Sequence, residues 1–407
     1  MSKLALLGGN PVRTKPYIKW PFFDEKEEQA VLEVIRSGKW WRYEGDKVLK
    51  FEQQFANAHD AKFGIAVTNG TAALEIALAA MGVRPGDEVI VPSYTFVATA
   101  TAVIANGATP VFVDIEPDTY NLDPVQVEQA ISEKTKVIIP VHFAGYPADM
   151  DRLMEIACKH NILVLEDAAH AHGGAYKGKK LGSIGHASGF SFQASKNMTS
   201  GEGGIVLSND EELAAKVFSI HTFGRTPGRP WYEHHLISTN KRMTEMQAAI
   251  LLIQLNRLSS QTEERAKNAE ILDRGIGPIG ELSLMKLNDQ ATAKRAYHLY
   301  LLKYSPGIEG VSRDLFLKAV QAEGVSLASG YIVPLYKQPL FGKINLPKGQ
   351  NCPFDKLYQP NVEKAVCESL WIPQNVLLGD KSGVEDIISA FEKVISNADE
   401  LRETNIG

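Results

Sequence analysis

Cysteine is nearly absent: the chain holds three, Cys158, Cys352 and Cys367, with no metal-ligand spacing among them. An odd count so placed fits neither a disulfide framework nor a zinc site, and points to reduced thiols in a cytoplasmic protein. Long apolar runs are missing too. No stretch reaches the roughly 18 apolar residues that a membrane-spanning helix needs. The opening MSKLALLGGNPVR breaks its short apolar run at Gly-Gly, which speaks against a secretory leader. There is no excess of positive charge either. The net charge is −5 and the signs are mixed along the chain, so no basic field draws nucleic acid or anionic lipid. Repeats and low-complexity tracts are absent. These gaps lead to the expectation of a cytoplasmic protein with no metal, no nucleic acid and no membrane among its partners.

What is present is an ordinary globular composition over 407 residues, 44% of them hydrophobic, enough for one large core and a smaller second domain. Residues 63–207 alternate short apolar runs with helical patterns. FGIAV (63–67), EVIVP (88–92), TPVFVD (109–114), KVIIPV (136–141), ILVLED (162–167), GFSF (189–192) and GGIVLS (203–208) read as strands. The segments between them, such as TAALEIALAAMG and DMDRLMEIACKH, repeat apolar residues at three and four. This pattern predicts a covered, mostly parallel sheet with helices on both faces. A long helix is expected from about Thr244 to Glu270, with Thr244 and Gln247 forming a capping box. Beyond it, YHLYLLKY (297–304), SRDLFLKAVQAEG (312–324) and VEDIISAFEKVI (384–395) predict a strand, a helix and a final helix of a small α+β domain. The expected domains are an N-terminal arm with a large domain (1–243), a linking helix (244–270) and a small C-terminal domain (271–407).

Four segments carry side chains suited to chemistry. In TNGTAALEIAL (68–78) an Asn-Gly turn opens a helix whose free amides at Gly70 and Thr71 suit a phosphate, or only a cap. In LVLEDAAHAHGG (163–174) Asp167 ends a buried strand, where α/β sheets place ligands. A carboxylate buried there needs a partner; a helix N-cap is the plainer reading. In GFSFQASKNMTSGEGG (189–204) Lys196 follows a strand beside a glycine cluster, where desolvation frees its amine as a nucleophile. An ordinary solvated lysine is the alternative, and Ser191 suits a phosphate or the backbone equally. In SYTFVATATAVI (93–104) Phe96 follows a strand end, fit to stack on a planar ring or to fill the core.

Taken together and in this order, these segments resemble the DegT-type sugar aminotransferase family of fold-type I pyridoxal phosphate (PLP) enzymes, over nearly the whole chain. The signature S-F-x-x-x-K-x-x-T-x-G-E-G-G is met by Ser191, Phe192, Lys196, Thr199, Gly201, Glu202, Gly203 and Gly204, D-A-A-H-A by Asp167 to Ala171, and R-M-T-E-x-Q-A-A by Arg242 to Ala249. The resemblance implies that Lys196 carries the cofactor and shuttles protons, that Asp167 pairs with its ring nitrogen, that His170 and Phe96 flank the ring, and that Gly70, Thr71 and Ser191 hold its phosphate. Asn240 matches an asparagine that reaches the phosphate from the neighbouring subunit, so the resemblance implies a homodimer with shared sites.

Within the family, SGKWWRYEGDKVLKFEQQFA (37–56) and PVHFAGYPADMD look nearer to scyllo-inosose-type cyclitol aminotransferases and 3-amino-5-hydroxybenzoate synthases than to nucleotide-sugar members. Lys241 replaces an aromatic of those members, and Tyr336 stands near the place of a histidine. The expected reaction moves an amino group from glutamine or glutamate to a keto-cyclitol or keto-sugar, in aminocyclitol or amino-sugar biosynthesis. Competing expectations are a nucleotide-linked acceptor, a dehydrating enzyme of the benzoate-synthase type, and a non-catalytic sensor, against which Lys196 and Asp167 both count. Trp40 and Trp41 either border the substrate or pack on the long helix. The loop GRTPGRPWYEHHLI (224–237) either faces substrate or is solvated.

Overall fold

The structure, a computed structural model, describes residues 3–287, 293–343, 354 and 356–402. It divides the chain into two compact units, one of Phe23–Ser259 with Asn288–Ala296, the other of Met1–Phe22, Ser260–Leu287 and Tyr297–Gly407.

The first unit is built on a seven-stranded sheet. Its strands are β1 (Phe63–Val67), β2 (Glu88–Pro92), β3 (Thr109–Val113), β4 (Thr135–Ile138), β5 (Leu163–Asp167), β6 (Ala187–Ser191) and β7 (Gly204–Ser208), in the order β1-β7-β6-β5-β4-β2-β3. Only β7 runs against its neighbours; the other pairs are parallel. All seven predicted strands form. The fourth stops at Ile138, short of Pro140, which has no amide to donate to the ladder. Val89, Ile90 and Val91 are fully buried, the double-sided burial that parallel strands show. Helix α1 (Gly70–Ala80) lies close on β6, because a Cβ at Gly189 would already stand 3.0 Å from Leu74. Helix α2 (Ala98–Ala105) follows β2. Below β6, Phe51, Phe55, Phe190 and Phe192 form an aromatic core with His59 and His172, which anchors the strand that leads to Lys196.

The second unit carries a three-stranded antiparallel sheet of Ser283–Leu284, Leu299–Lys303 and Ser369–Pro373, with helices Arg313–Ala322 and Lys381–Ser396. A short helix, Ala398–Arg402, follows the one expected to be last. Two boundaries differ from expectation. The N-terminal residues belong to this unit and not to the large one: Leu4 is fully buried in its core, and Glu323 accepts the amides of Ala5 and Val12 while Arg13 pairs with Asp386. The long helix α3 (Glu245–Ile276) is shared, dividing at Ser259. Its start is capped as read: Thr244 Oγ1 accepts the Gln247 amide, and the Gln247 side chain accepts the Thr244 amide at 3.0 Å. No described helix is long and apolar enough to cross a membrane.

Candidate active site

Every strand but β7 points the same way, so β1, β2, β5 and β6 all deliver their carboxyl ends to one edge of the sheet. The loops there carry Asn69–Thr71, Phe96, Asp167 and Ser191–Lys196, and β7 begins at that edge with Gly204. This is where open α/β sheets hold ligands.

Asp167 closes β5 and is 5% exposed. Its Oδ2 accepts the hydroxyl of Thr99 at 2.8 Å and its Oδ1 the amide of Ala169 at 3.2 Å. Burial pushes its pKa up, while Thr99, the Ala169 amide and the charge of Lys196 hold it down. Lys196 is half-buried. Burial lowers its pKa to about 8, and Asp167 is the charge among the described residues that pulls it back up. His170 is held neutral by burial and by the nearby Lys196. The amide of Ala144 donates to His170 Nδ1 at 3.2 Å, which leaves the proton on Nε2. Ala144 itself sits at φ +56°, a left-handed conformation costly for alanine. Its turn is held by Asn121, which accepts the Phe143 amide and donates to the carbonyls of Tyr146 and Pro147.

Two residues not singled out from the sequence support this edge from beneath. Glu166, fully buried next to Asp167 on β5, accepts His142 Nε2–H at 2.8 Å and the amides of Gly182, Ile184 and Gly185. Burial alone would raise its pKa; these donors outweigh burial and lower it. His142 Nδ1 accepts the Ala148 amide, and its own amide donates to the Asp167 carbonyl. The sequence did hold a signal, an acidic residue inside the apolar run ILVLED. Thr99, in a helix start rich in threonine and alanine, gave none.

The phosphate-suited residues also come together. Asn69 Oδ1 caps the Ala72 amide, so the amides of Gly70 and Thr71 at the start of α1 have no partner within the described chain. A Cβ at Gly70 would lie 2.6 Å from Ser191 Cβ, and one at Gly204 would lie 2.4 Å from the Asn69 carbonyl oxygen. The absence of those side chains leaves a backbone cradle at a helix N-terminus facing the Ser191 hydroxyl, the donor set that a phosphate takes. An amine with lowered pKa, a buried carboxylate and this cradle, all on one edge, fit pyridoxal phosphate.

Phe96 is 57% exposed; it is not a core residue, and its ring is free to cover a ligand. Asn240 is exposed, bridged by backbone to Thr222. The Trp41 ring contacts Tyr43 and Trp231 edge to face, and Arg225 lies 3.8 Å over Trp231. Trp40 and Trp41 are both partly exposed, and the Trp40 carbonyl accepts the amide of Glu245 at the start of the long helix. Both departures in the sequence have internal partners. Lys241 pairs with Glu75 of α1, and Tyr336 donates to Glu363 at 2.6 Å. Cys158 and Cys367 are free and exposed; Cys352 lies outside the described residues.

Comparison with known proteins bears on this site. The model of the DegT/DnrJ/EryC1/StrS aminotransferase family matches residues 21–392. The L-glutamine:2-deoxy-scyllo-inosose aminotransferase of Micromonospora echinospora is 36% identical, over 99% of this chain and 100% of its own length. The 3-amino-5-hydroxybenzoate synthase of Amycolatopsis mediterranei is 35% identical, over 96% and 99%. The crystal structure of 3-amino-5-hydroxybenzoic acid synthase superposes with a TM-score of 0.87 at 33% identity, covering 95% of this chain and 100% of that one.

Proposed function

The chain belongs to the DegT/DnrJ/EryC1/StrS aminotransferase family, and on that premise we propose that it moves the amino group of L-glutamine to a keto-cyclitol of the scyllo-inosose type. It is a PLP-dependent aminotransferase. The single observation that carries the reaction class is a lysine amine with its pKa lowered to about 8 beside a buried carboxylate that has no arginine partner among the described residues. The acceptor and the donor are supported by the full-length likeness to a scyllo-inosose aminotransferase that uses L-glutamine. The equal likeness to 3-amino-5-hydroxybenzoate synthase makes a dehydrating reaction the second reading.

PLP, when bound, supplies the electron sink for the breaking Cα–H bond and carries the amino group between substrates. The roles we assign to this chain are these. Lys196 Nζ holds the cofactor and, once released, takes the proton from the donor Cα and returns one to the acceptor carbon. An amine with a pKa lowered to about 8 can both take and return a proton. The Asp167 carboxylate accepts a hydrogen bond from a protonated ring nitrogen and keeps it protonated. His170 donates Nε2–H toward the ring side, and Phe96 stacks on it. The Gly70 and Thr71 amides and the Ser191 hydroxyl bind the phosphate, and Asn240 reaches it from the partner subunit of a homodimer. A cytoplasmic location completes the proposal, supported by the scarcity of cysteine.

The test charges the purified enzyme with L-glutamine, removes the donor, and offers a panel of ketones. scyllo-Inosose and its deoxy analogues should be aminated faster than nucleotide-linked keto-sugars. A preference for the nucleotide-linked panel would reverse the assignment, and loss of water from a cyclic acceptor would favour the second reading.

A further inference from the structure

Asp167 is buried, yet no arginine or lysine lies within ion-pair distance of it among the described residues. The charged or titratable groups near it are Lys196 and His142, with His170 three residues along the chain. The carboxylate instead leans on a neutral donor. Thr99 Oγ1 donates to Oδ2 at 2.8 Å, and Thr99 is fully buried on α2. An ionised carboxylate only accepts, so the single Thr99 hydroxyl proton is committed to it. The 3.1 Å contact between Thr95 Oγ1 and Thr99 Oγ1 must then have Thr95 as donor. The two hydroxyls form a chain, Thr95 to Thr99 to Asp167, in which each dipole reinforces the next. Between them stands Phe96, whose carbonyl accepts the Thr99 amide at 3.2 Å. One turn thus turns an aromatic ring outward and a hydroxyl inward to the carboxylate.

We propose that Thr99 is the positioning residue of Asp167: its hydroxyl fixes the rotamer of the carboxylate and holds it ionised, and Thr95 fixes that hydroxyl in turn. The proposal rests on the reading above that Asp167 meets the cofactor ring nitrogen. Without Thr99 the carboxylate keeps its burial and loses its strongest neutral donor. It then either takes up a proton or rotates, and in both cases holds the ring nitrogen less well.

The test uses Thr99→Val, which keeps the shape of the side chain and removes the hydroxyl. The affinity of the cofactor-free protein for PLP is measured by equilibrium dialysis, and its melting temperature is recorded alongside. Affinity should fall roughly ten- to a hundredfold, the range for losing a hydrogen bond to a charged group. Thr99→Ser, which restores the hydroxyl, should return it to within about threefold of the native value. Unchanged affinity in Thr99→Val overturns the proposal. So does an equal loss in the Val and Ser variants, which would assign the effect to methyl packing. If the Val variant does not fold, Thr99→Ala against Thr99→Ser makes the same comparison, and equal affinities overturn it. Asp167→Asn separates the premise. Native PLP affinity in that variant removes the reading of Asp167 itself, whereas a damaged Asp167→Asn beside an intact Thr99→Val sinks only the role of Thr99.

Discussion

A lysine in water gives up its proton near pH 10.4; Lys196 does so near 8 because burial penalises its charge. Above pH 8 the amine is free, and below it each unit of pH removes up to about tenfold of the reactive form. The rate at which cofactor-free protein captures PLP should therefore rise with pH, with its midpoint near 8, and level off about one unit above. In Lys196→Ala the visible band that arises from the bond between the lysine amine and the cofactor should be missing. Among the described residues Asp167 is the charge that raises the Lys196 pKa, so Asp167→Asn should move the levelling point to lower pH. Stopped-flow absorbance across pH 6 to 11 checks both, and a rise that continues to pH 10 would show an ordinary solvated lysine. At this scale the sequence was informative where a residue does chemistry by itself. Lys196 and Asp167 stand in motifs that announce them. Thr99, His142 and Glu166 act through hydrogen bonds between segments 24 to 68 residues apart, and such pairings have no local signature.

Among the elements, the start of α1 shows how a missing side chain can be functional. Gly70 has its backbone against Ser191, and a Cβ there would stand 2.6 Å from Ser191 Cβ. Gly70→Ala must push the first turn of α1 away from β6, while Asn69 continues to cap the Ala72 amide and keeps the helix formed. We expect the variant to fold and to bind PLP about tenfold or more weakly, the phosphate-binding amides having moved. Binding of pyridoxal, which lacks the phosphate, should change little. Isothermal titration with both ligands gives the ratio; equal losses for the two would place the damage at the lysine and not at the cradle. The strands and the capped start of α3 were legible because apolar periodicity and capping chemistry are local. The clamp on the Phe143–Gly145 turn was not, since Asn121 and His170 reach it from 22 and 26 residues away.

For the whole molecule, the proposed dimer makes a prediction about mixtures. Asn240 is exposed on its own chain, with its side-chain oxygen on the Arg242 amide. Two copies related by a two-fold axis use the same surfaces twice. When Lys196→Ala and Asn240→Ala subunits are mixed and allowed to exchange, each hybrid dimer holds one doubly defective site and one intact site. About half the dimers are hybrids, so activity should recover to roughly a quarter of native. No recovery would mean that Lys196 and Asn240 of one chain serve the same site, and an Asn240→Ala parent of full activity would remove Asn240 from the site. The division into domains was the least legible feature at this scale, because the arm that joins residues 3–22 to the second unit rests on a few buried contacts such as Leu4. That arm has a consequence for synthesis. Leu4 meets Glu400 across 396 residues of sequence. During translation the Phe23–Ser259 unit can fold while the arm still waits: Glu323 emerges about 64 residues later and Glu400 about 141, roughly seven to thirty seconds for the last at ordinary ribosome speeds. Through that interval the apolar Leu4–Leu7 segment is exposed on the nascent chain, the natural place for a holding chaperone to bind.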